Sequence, residues 1–219
     1  MYPVSLCVKY GAGNVLLCVE IAIVGERGDC VSDLPDEALA RRAAAGNMEC
    51  FEELLARYRV RVYRLCFRMT GNAEDAEDWT QECFVRVYQH LGSFNAERPF
   101  APWLMRLVSN TCINLGKARA RRESRVQVGL AAEEERASSA GDPLYKALAS
   151  AETQEMQEAL ASLSPLVRQT IVLWAQEDLT FRELGEILGA PLPTVSARVR
   201  RALLHLRERL RSADRKVKP

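Results

Sequence analysis

Apolar residues in this chain return every third or fourth position, and almost nowhere every second. From Met48 to Thr70, the positions Phe51, Leu54, Leu55, Tyr58, Val62, Leu65 and Met69 fall on one side of a helix. No alternating run of any length follows residue 31. The spacing predicts an all-α fold built from helices that each bury one stripe.

The punctuation agrees with that period. Gly71-Asn72 stops the first long helix, and Glu74, Asp75, Glu77 and Asp78 open the next, where carboxylates suit the positive end of the helix dipole. Its inward stripe reads Ala76, Cys83, Phe84, Val87 and Leu91. Gly92-Ser93-Phe94-Asn95 makes a loop. Pro99 is then expected in the first turn of a third helix, with Trp103, Leu104, Leu107 and Val108 inward. Trp103 could serve as a stacking platform, but its spacing with Leu104 and Leu107 favours core. A short helix near Pro35–Ala45 precedes these three.

Charge divides the chain where the mean conceals it. The net charge is only +1, yet residues 196–219 carry 9 basic and 2 acidic groups while residues 123–158 carry 3 and 8. The acidic stretch holds Glu133-Glu134-Glu135, few large apolar residues and a Gly141-Asp142-Pro143 break. It reads as a flexible linker. The expected organisation is an unassigned extension (1–32), a helical domain (33–122), the acidic linker (123–151), a second helical domain (152–212) and a basic tail (213–219).

The second domain carries the sharpest local motif. Ser164 and Pro165 suit an N-cap and first helical position, ahead of Val167, Ile171 and Trp174. Thr180 and Glu183 form a capping-box pattern before Leu184, Ile187 and Leu188. Gly189 ends that helix, Ala190-Pro191-Leu192 turns, and Pro193-Thr194 opens a final helix whose buried stripe is expected at Val195, Val199, Leu203, Leu206 and Leu210. Short helix, tight Gly turn and second helix are the signature of a helix-turn-helix. The outward face of its second helix offers Thr194, Ser196, Ala197, Arg198, Arg200 and Arg201 to duplex DNA. Small residues there allow close approach, and arginines can grip guanine edges or phosphate.

Other classes fit less well. The longest apolar stretch, Val15 to Val24, contains Glu20 and falls short of the ~20 residues a membrane span needs. Seven cysteines form no C-x-x-C pair and only two histidines exist, so neither a disulfide framework nor a metal site is expected. The cysteines read as reduced core residues of a cytoplasmic protein. No phosphate-cradling Gly loop and no nucleophile–base motif appears, so neither enzymatic activity nor a cofactor is expected.

Two motif sets then make the sequence specific. Phe51-Glu52-Glu53-Leu54-Leu55-x-Arg57-Tyr58, the run from Gly71 through Asp78 to Gln81-Glu82-x-Phe84-x-Arg86-x-Tyr88, and Phe94-x-x-x-x-Pro99-Phe100-x-x-Trp103-Leu104-x-Arg106-Leu107-x-x-Asn110 together resemble the extracytoplasmic-function (ECF) group of bacterial sigma-70-type factors. The helix-turn-helix is similar to the last domain of the same group. The resemblance implies a non-enzymatic initiation factor with two small helical domains, sigma region 2 and sigma region 4. It would bind core RNA polymerase through the β′ clamp and β flap, recognise promoter DNA, insert into no membrane, and admit an anti-sigma factor as a further partner.

Family roles carry over residue by residue. The resemblance places clamp binding on Asp78, Gln81, Glu82 and Arg86. It places capture of the melted −10 strand on Ser93, Asn95, Arg98, Asn110, Asn114, Lys117, Arg119, Arg121 and Arg122. It places −35 recognition on the helix-turn-helix residues already named. An asparagine offers both a donor and an acceptor to a flipped base, which suits Asn110. The competing reading is a free-standing helix-turn-helix regulator that never touches polymerase.

The sequence departs from the family at Trp79-Thr80, expected to alter the polymerase-facing surface. It departs again at Pro193 and Ser196, which leaves the −35 preference open. Residues 1–30 match nothing in the family. Either Val31 is the initiating residue, or the extension is genuine and senses redox state or binds a regulator through Cys7, Cys18 or Cys30.

Overall fold

The computed structural model describes residues 31–127, 143, 154–177 and 179–217. The expectations for residues 1–30 and for most of the linker lie outside the described residues. Every regular element among those described is helical. The helices are α1 (Asp36–Ala44), α2 (Met48–Thr70), α3 (Ala73–His90), α4 (Phe100–Gln127), α5 (Gln154–Ala161), α6 (Pro165–Glu177), α7 (Phe181–Leu188) and α8 (Leu192–Val217), with short 3-10 turns at Val31–Asp33 and Leu91–Ser93.

Helices α1 to α4 pack around α2, which touches all three of the others. The Asn47 side chain caps α2 by accepting from Cys50 N at 3.1 Å. Asn72 caps α3, its Oδ1 accepting from Glu74 N at 2.8 Å. Arg57 holds α1 on α2, donating to Asp36 at 2.7 Å and to Glu53 at 2.8 Å. Tyr58 donates to the same Asp36, and burial and that carboxylate push its phenol well above the usual range. The core beneath is Leu39, Leu54, Val62, Tyr63, Leu65, Val87, Leu104, Met105 and Val108, all nearly inaccessible.

One expectation about a helix end needs correcting. Helix α4 starts at Phe100, so Pro99 precedes it and Pro102 is the proline inside the first turn. A first-turn residue has no intrahelical acceptor for its N–H, so Pro102 costs no ladder bond there. The free N–H of Phe100 donates instead to the Glu37 carboxylate at 3.0 Å, a cap supplied from α1. At its other end α4 reaches Gln127.

Helices α5 to α8 pack around α8, and their buried residues join the same apolar cluster as the first four. Helix α6 rests on α2, and α7 on α4. One side chain spans that junction. Arg168 of α6 donates to Met69 O at the end of α2 at 2.7 Å, and to Ala161 O at 2.6 Å. Helix-end carbonyls lack intrahelical partners, so this guanidinium satisfies one that would otherwise be orphaned. Burial alone pulls its pKa down, and it remains a cation. Arg168→Ala is expected to lower unfolding stability by about 2 kcal/mol, checked by urea denaturation. Arg168→Lys should recover only part, because one ammonium cannot fork between carbonyls from two helices.

Candidate nucleic-acid interface

On α3 the expected polymerase face is outward. Asp78 and Gln81 are exposed, and Glu82 and Arg86 half-buried. Glu82 and Arg86 pair along the helix at 2.8 Å, each about two-fifths exposed. The four positions share one side, since residues three and four apart are neighbours on a helix. Thr80 does not belong to that side, whereas Trp79, three residues before Glu82 and seven before Arg86, is half-buried at its edge. Thr80 is buried and donates to Ala76 O at 2.7 Å. The Trp79 ring lies over Gly116 of α4, where an added Cβ would come within 3.5 Å of it. Thr80 thus faces the core, and Trp79 borders the polar side of α3 while its ring packs on α4.

The loop before α4 is shaped by its own polar side chains. Ser93 Oγ donates to His90 O at 2.7 Å, and Asn95 Oδ1 accepts from Glu97 N at 3.0 Å. Arg98 is exposed. Beneath the loop Phe94, Phe100 and Trp103 form an aromatic triangle with centroids 5.2 to 5.6 Å apart. Trp103 is therefore part of the packing that supports the loop, as its spacing suggested.

Along α4, Asn110, Asn114, Lys117 and Arg121 are all exposed at steps of four, three and four, and Arg122 is exposed beside them. This is a continuous polar and basic stripe starting about two turns beyond Trp103 of the aromatic triangle. Arg119 behaves differently. Its guanidinium pairs with Asp75 of α3, which is only 3% exposed, and with Glu123 at 2.8 Å. Those bonds hold Arg119 as a cation and tie α4 to α3. A carboxylate buried opposite a cation in another helix has no signature in linear spacing, so this pair went unseen in the sequence.

The helix-turn-helix is α7, the turn Gly189-Ala190-Pro191, and α8. Both halves of the capping box form: Glu183 N donates to Thr180 Oγ1 at 3.3 Å, and Thr180 N to Glu183 Oε2 at 2.9 Å. Gly189 takes φ +59°, the left-handed region that favours glycine. Gly185, which the sequence did not single out, is equally constrained. It is buried, its carbonyl accepts from Ala190 N at 3.0 Å, and an added Cβ would stand 2.9 Å from Ala190 O. The turn folds directly back over it.

On α8, Ala197, Arg200 and Arg201 are exposed, while Thr194, Ser196 and Arg198 are half-buried; Ser196 Oγ donates to Pro193 O at 3.1 Å. The buried stripe differs from expectation at one place. Ala202 is inside and Leu203 is 46% exposed. At 100° per residue, position 202 lies about 20° from the line of Val195 and position 203 about 80° away on the other side, so the smaller residue faces inward. Leu204, 55% exposed, stands beside Leu203.

The Glu183 carboxyl is held below its ordinary value of 4.5, first by the Thr180 hydroxyl and then by the Thr180 N–H. A depressed native pKa contributes stability above the unfolded-state value, lost as pH falls through the folded one. The stability difference between the parent chain and Glu183→Ala should therefore shrink as pH drops below 4.5. Thermal melts across that range check it.

A helical bundle with a polar and basic helix on one flank, joined to a helix-turn-helix, defines a class of DNA-binding initiation proteins. Family profiles agree: Sigma-70 region 2 matches residues 54–125, and Sigma-70, region 4 matches residues 159–208. The chain is 31% identical over 183 residues to the ECF RNA polymerase sigma factor SigW of Bacillus subtilis, covering 78% of this chain and 94% of that one. It is 31% identical over 192 residues to the sigma-E factor of Escherichia coli K12, covering 85% and 96%. Among solved structures, CnrH in complex with the cytosolic domain of CnrY superposes with TM-score 0.59 at 26% identity, covering 81% of this chain and 97% of that one. The fold is shared also with the sigma factor RpoE bound to the anti-sigma factor NepR from Bartonella quintana, at TM-score 0.57 and 22% identity, covering 77% and 98%. The chain belongs to the ECF group of the bacterial sigma-70 family. It is an RNA polymerase sigma factor, a transcription initiation protein rather than an enzyme.

Proposed function

We propose that the three exposed faces divide the work of initiation among them. The α3 face of Asp78, Gln81, Glu82 and Arg86 docks on the β′ clamp of core polymerase. The loop from Ser93 to Arg98 and the α4 stripe of Asn110, Asn114, Lys117, Arg121 and Arg122 take the melted −10 strand, with Arg119 holding that stripe against α3. The α8 residues Thr194, Ser196, Ala197, Arg198, Arg200 and Arg201 read the −35 duplex. Leu203 and Leu204, apolar and exposed on the same helix, suit a contact with the β flap.

The observation that carries this reading is the α4 stripe. Four polar or basic side chains in helical register, set near an aromatic-supported loop, suit the phosphates and base edges of nucleic acid. Residues 33–122 and 152–212 are accordingly the two working domains, 123–151 the tether, 213–219 a basic tail and 1–32 an extension without assigned role. No helix among the described residues is long and apolar enough to cross a membrane, and a polymerase subunit works in the cytoplasm. CnrH was solved with the cytosolic domain of CnrY and RpoE with the anti-sigma factor NepR, which supports a regulatory protein partner, an anti-sigma factor, for this chain as well.

Fork-junction promoter DNA, taken from start sites that the holoenzyme itself selects, tests the division. Lys117→Ala should weaken binding uniformly across sequences and lower the slope of log K against log salt by about 1. Asn110→Ala should instead flatten the preference among −10 bases. Equal effects on every sequence from both variants would sink the assignment.

A further inference from the structure

The bundle of α2, α3 and α4 converges on sulfur. Cys66, Cys83 and Cys112 come one from each helix, are all buried, and place their Sγ atoms within 4.8 Å of one another. Cys66 and Cys112 stand 3.8 Å apart. All three are free thiols. Sulfurs held at ~2.3 Å from a common ion, the zinc–thiolate length, lie roughly 3.8 to 4.0 Å from each other. A trivalent ion such as arsenic is pyramidal, its lone pair pressing the S–As–S angles toward a right angle, so its three sulfurs sit closer together than around zinc and the helices must draw inward to close the cage. Spacing in sequence concealed the cluster, because residues 66, 83 and 112 form no ligand motif.

The cluster lies beside a cavity of about 480 Å³ between α4 and α6, whose wall includes Met69, Trp79, Cys112, Ile113 and the cations Lys117 and Arg168. Cys112 itself is fully buried, so a solute in that cavity reaches the thiols when the helices part.

Charge selects the occupant. The group contains no histidine or carboxylate, so the donors are three thiols alone. Structural zinc is nearly always four-coordinate. Zinc(II) or copper(I) on three thiolates also leaves net negative charge in an apolar core, which is expensive without a partner. A trivalent thiophilic ion is neutralised by three thiolates. We infer that Cys66, Cys83 and Cys112 form a binding site for trivalent arsenic, taken up as arsenite. Arsenous acid enters uncharged. Each of its three As–O bonds is exchanged for an As–S bond, and each thiol proton leaves with the displaced hydroxide as water. As(OH)3 and three Cys–SH thus give As(S–Cys)3 and three waters. Arsenic stays trivalent throughout, and no oxidant or reductant takes part. The bound ion ties together the three helices of the bundle.

The test uses full-length chain with Cys7, Cys18, Cys30 and Cys50 replaced by alanine, which keeps only the three clustered thiols. Native mass spectrometry with sodium arsenite should show one arsenic per chain with three hydrogens lost. The melting temperature should rise, because the cage exists only in the folded state. Cys112→Ala in that background should lose the three-hydrogen adduct. Several results would overturn the inference: no adduct, an adduct leaving one thiol open to alkylation, uptake of zinc but not arsenite, or a fall in melting temperature, which marks capture of the unfolded chain. The parent's adduct and melting shift decide the question even if Cys112→Ala fails to fold.

Discussion

A chain carrying Gln81→Ala and Arg86→Ala together should bind core RNA polymerase about 10²–10³-fold more weakly than the parent, a loss of ~3–4 kcal/mol. Both side chains lie on the accessible side of α3. Gln81 offers a donor and an acceptor. Arg86 offers a fork that Glu82 holds in place. Truncating both removes the directional contacts and leaves Glu82 without its partner. Neither residue is in the core, so folding stability should change by no more than ~0.5 kcal/mol for each. Competition against a labelled sigma factor for core polymerase measures the binding, and circular dichroism confirms the fold. A double variant that binds as well as the parent would move the polymerase contact off α3.

The second large effect is local to the helix-turn-helix. Gly185→Val should destabilise that domain by about 3 kcal/mol and abolish sequence-specific binding to −35 duplex. Even a lone Cβ at 185 would press on Ala190 O at 2.9 Å, and that atom belongs to the backbone of the turn, which cannot swing aside as a side chain can. The branched valine adds two methyl groups at a buried site. The turn must open, and α7 and α8 then lose the relation that aims Arg200 and Arg201 outward. Gly189→Asn is a useful contrast. It keeps access to the left-handed region with open space around the Cβ, so its cost should be well below that of Gly185→Val. Urea denaturation followed at Trp174, which stacks on Phe181 of α7, reports the domain directly.

What could be read from the sequence was what is decided locally. The capping box at Thr180 and Glu183, the turn at Gly189 and the stripes of α2 and α3 depend on residues within one or two turns, and each lies where the sequence placed it. Two expectations slipped. Leu203 gave way to Ala202 because the inward line of α8 follows the helix phase from Val195, which steps of four overran. The start of α4 moved to Phe100 because a neighbour in space, Glu37 of α1, supplies the cap. The features missed altogether share that origin. Asp75 and Arg119, Arg168 and Met69, and the three clustered sulfurs join helices far apart in the chain, and neither periodicity nor charge counts record such meetings. The exposed site residues were more accessible to reading, since a polar stripe in helical register is written into the sequence itself.

Run-off transcription with this protein and sigma-free core polymerase, on fragmented DNA of the source genome, tests the central claim most directly. The predicted result is a discrete set of new start sites, each preceded by two shared sequence elements at a constant separation, one for α8 and one for α4. Absence of new starts, together with failure of the protein to co-elute with core polymerase, would contradict it and leave a free-standing helix-turn-helix regulator.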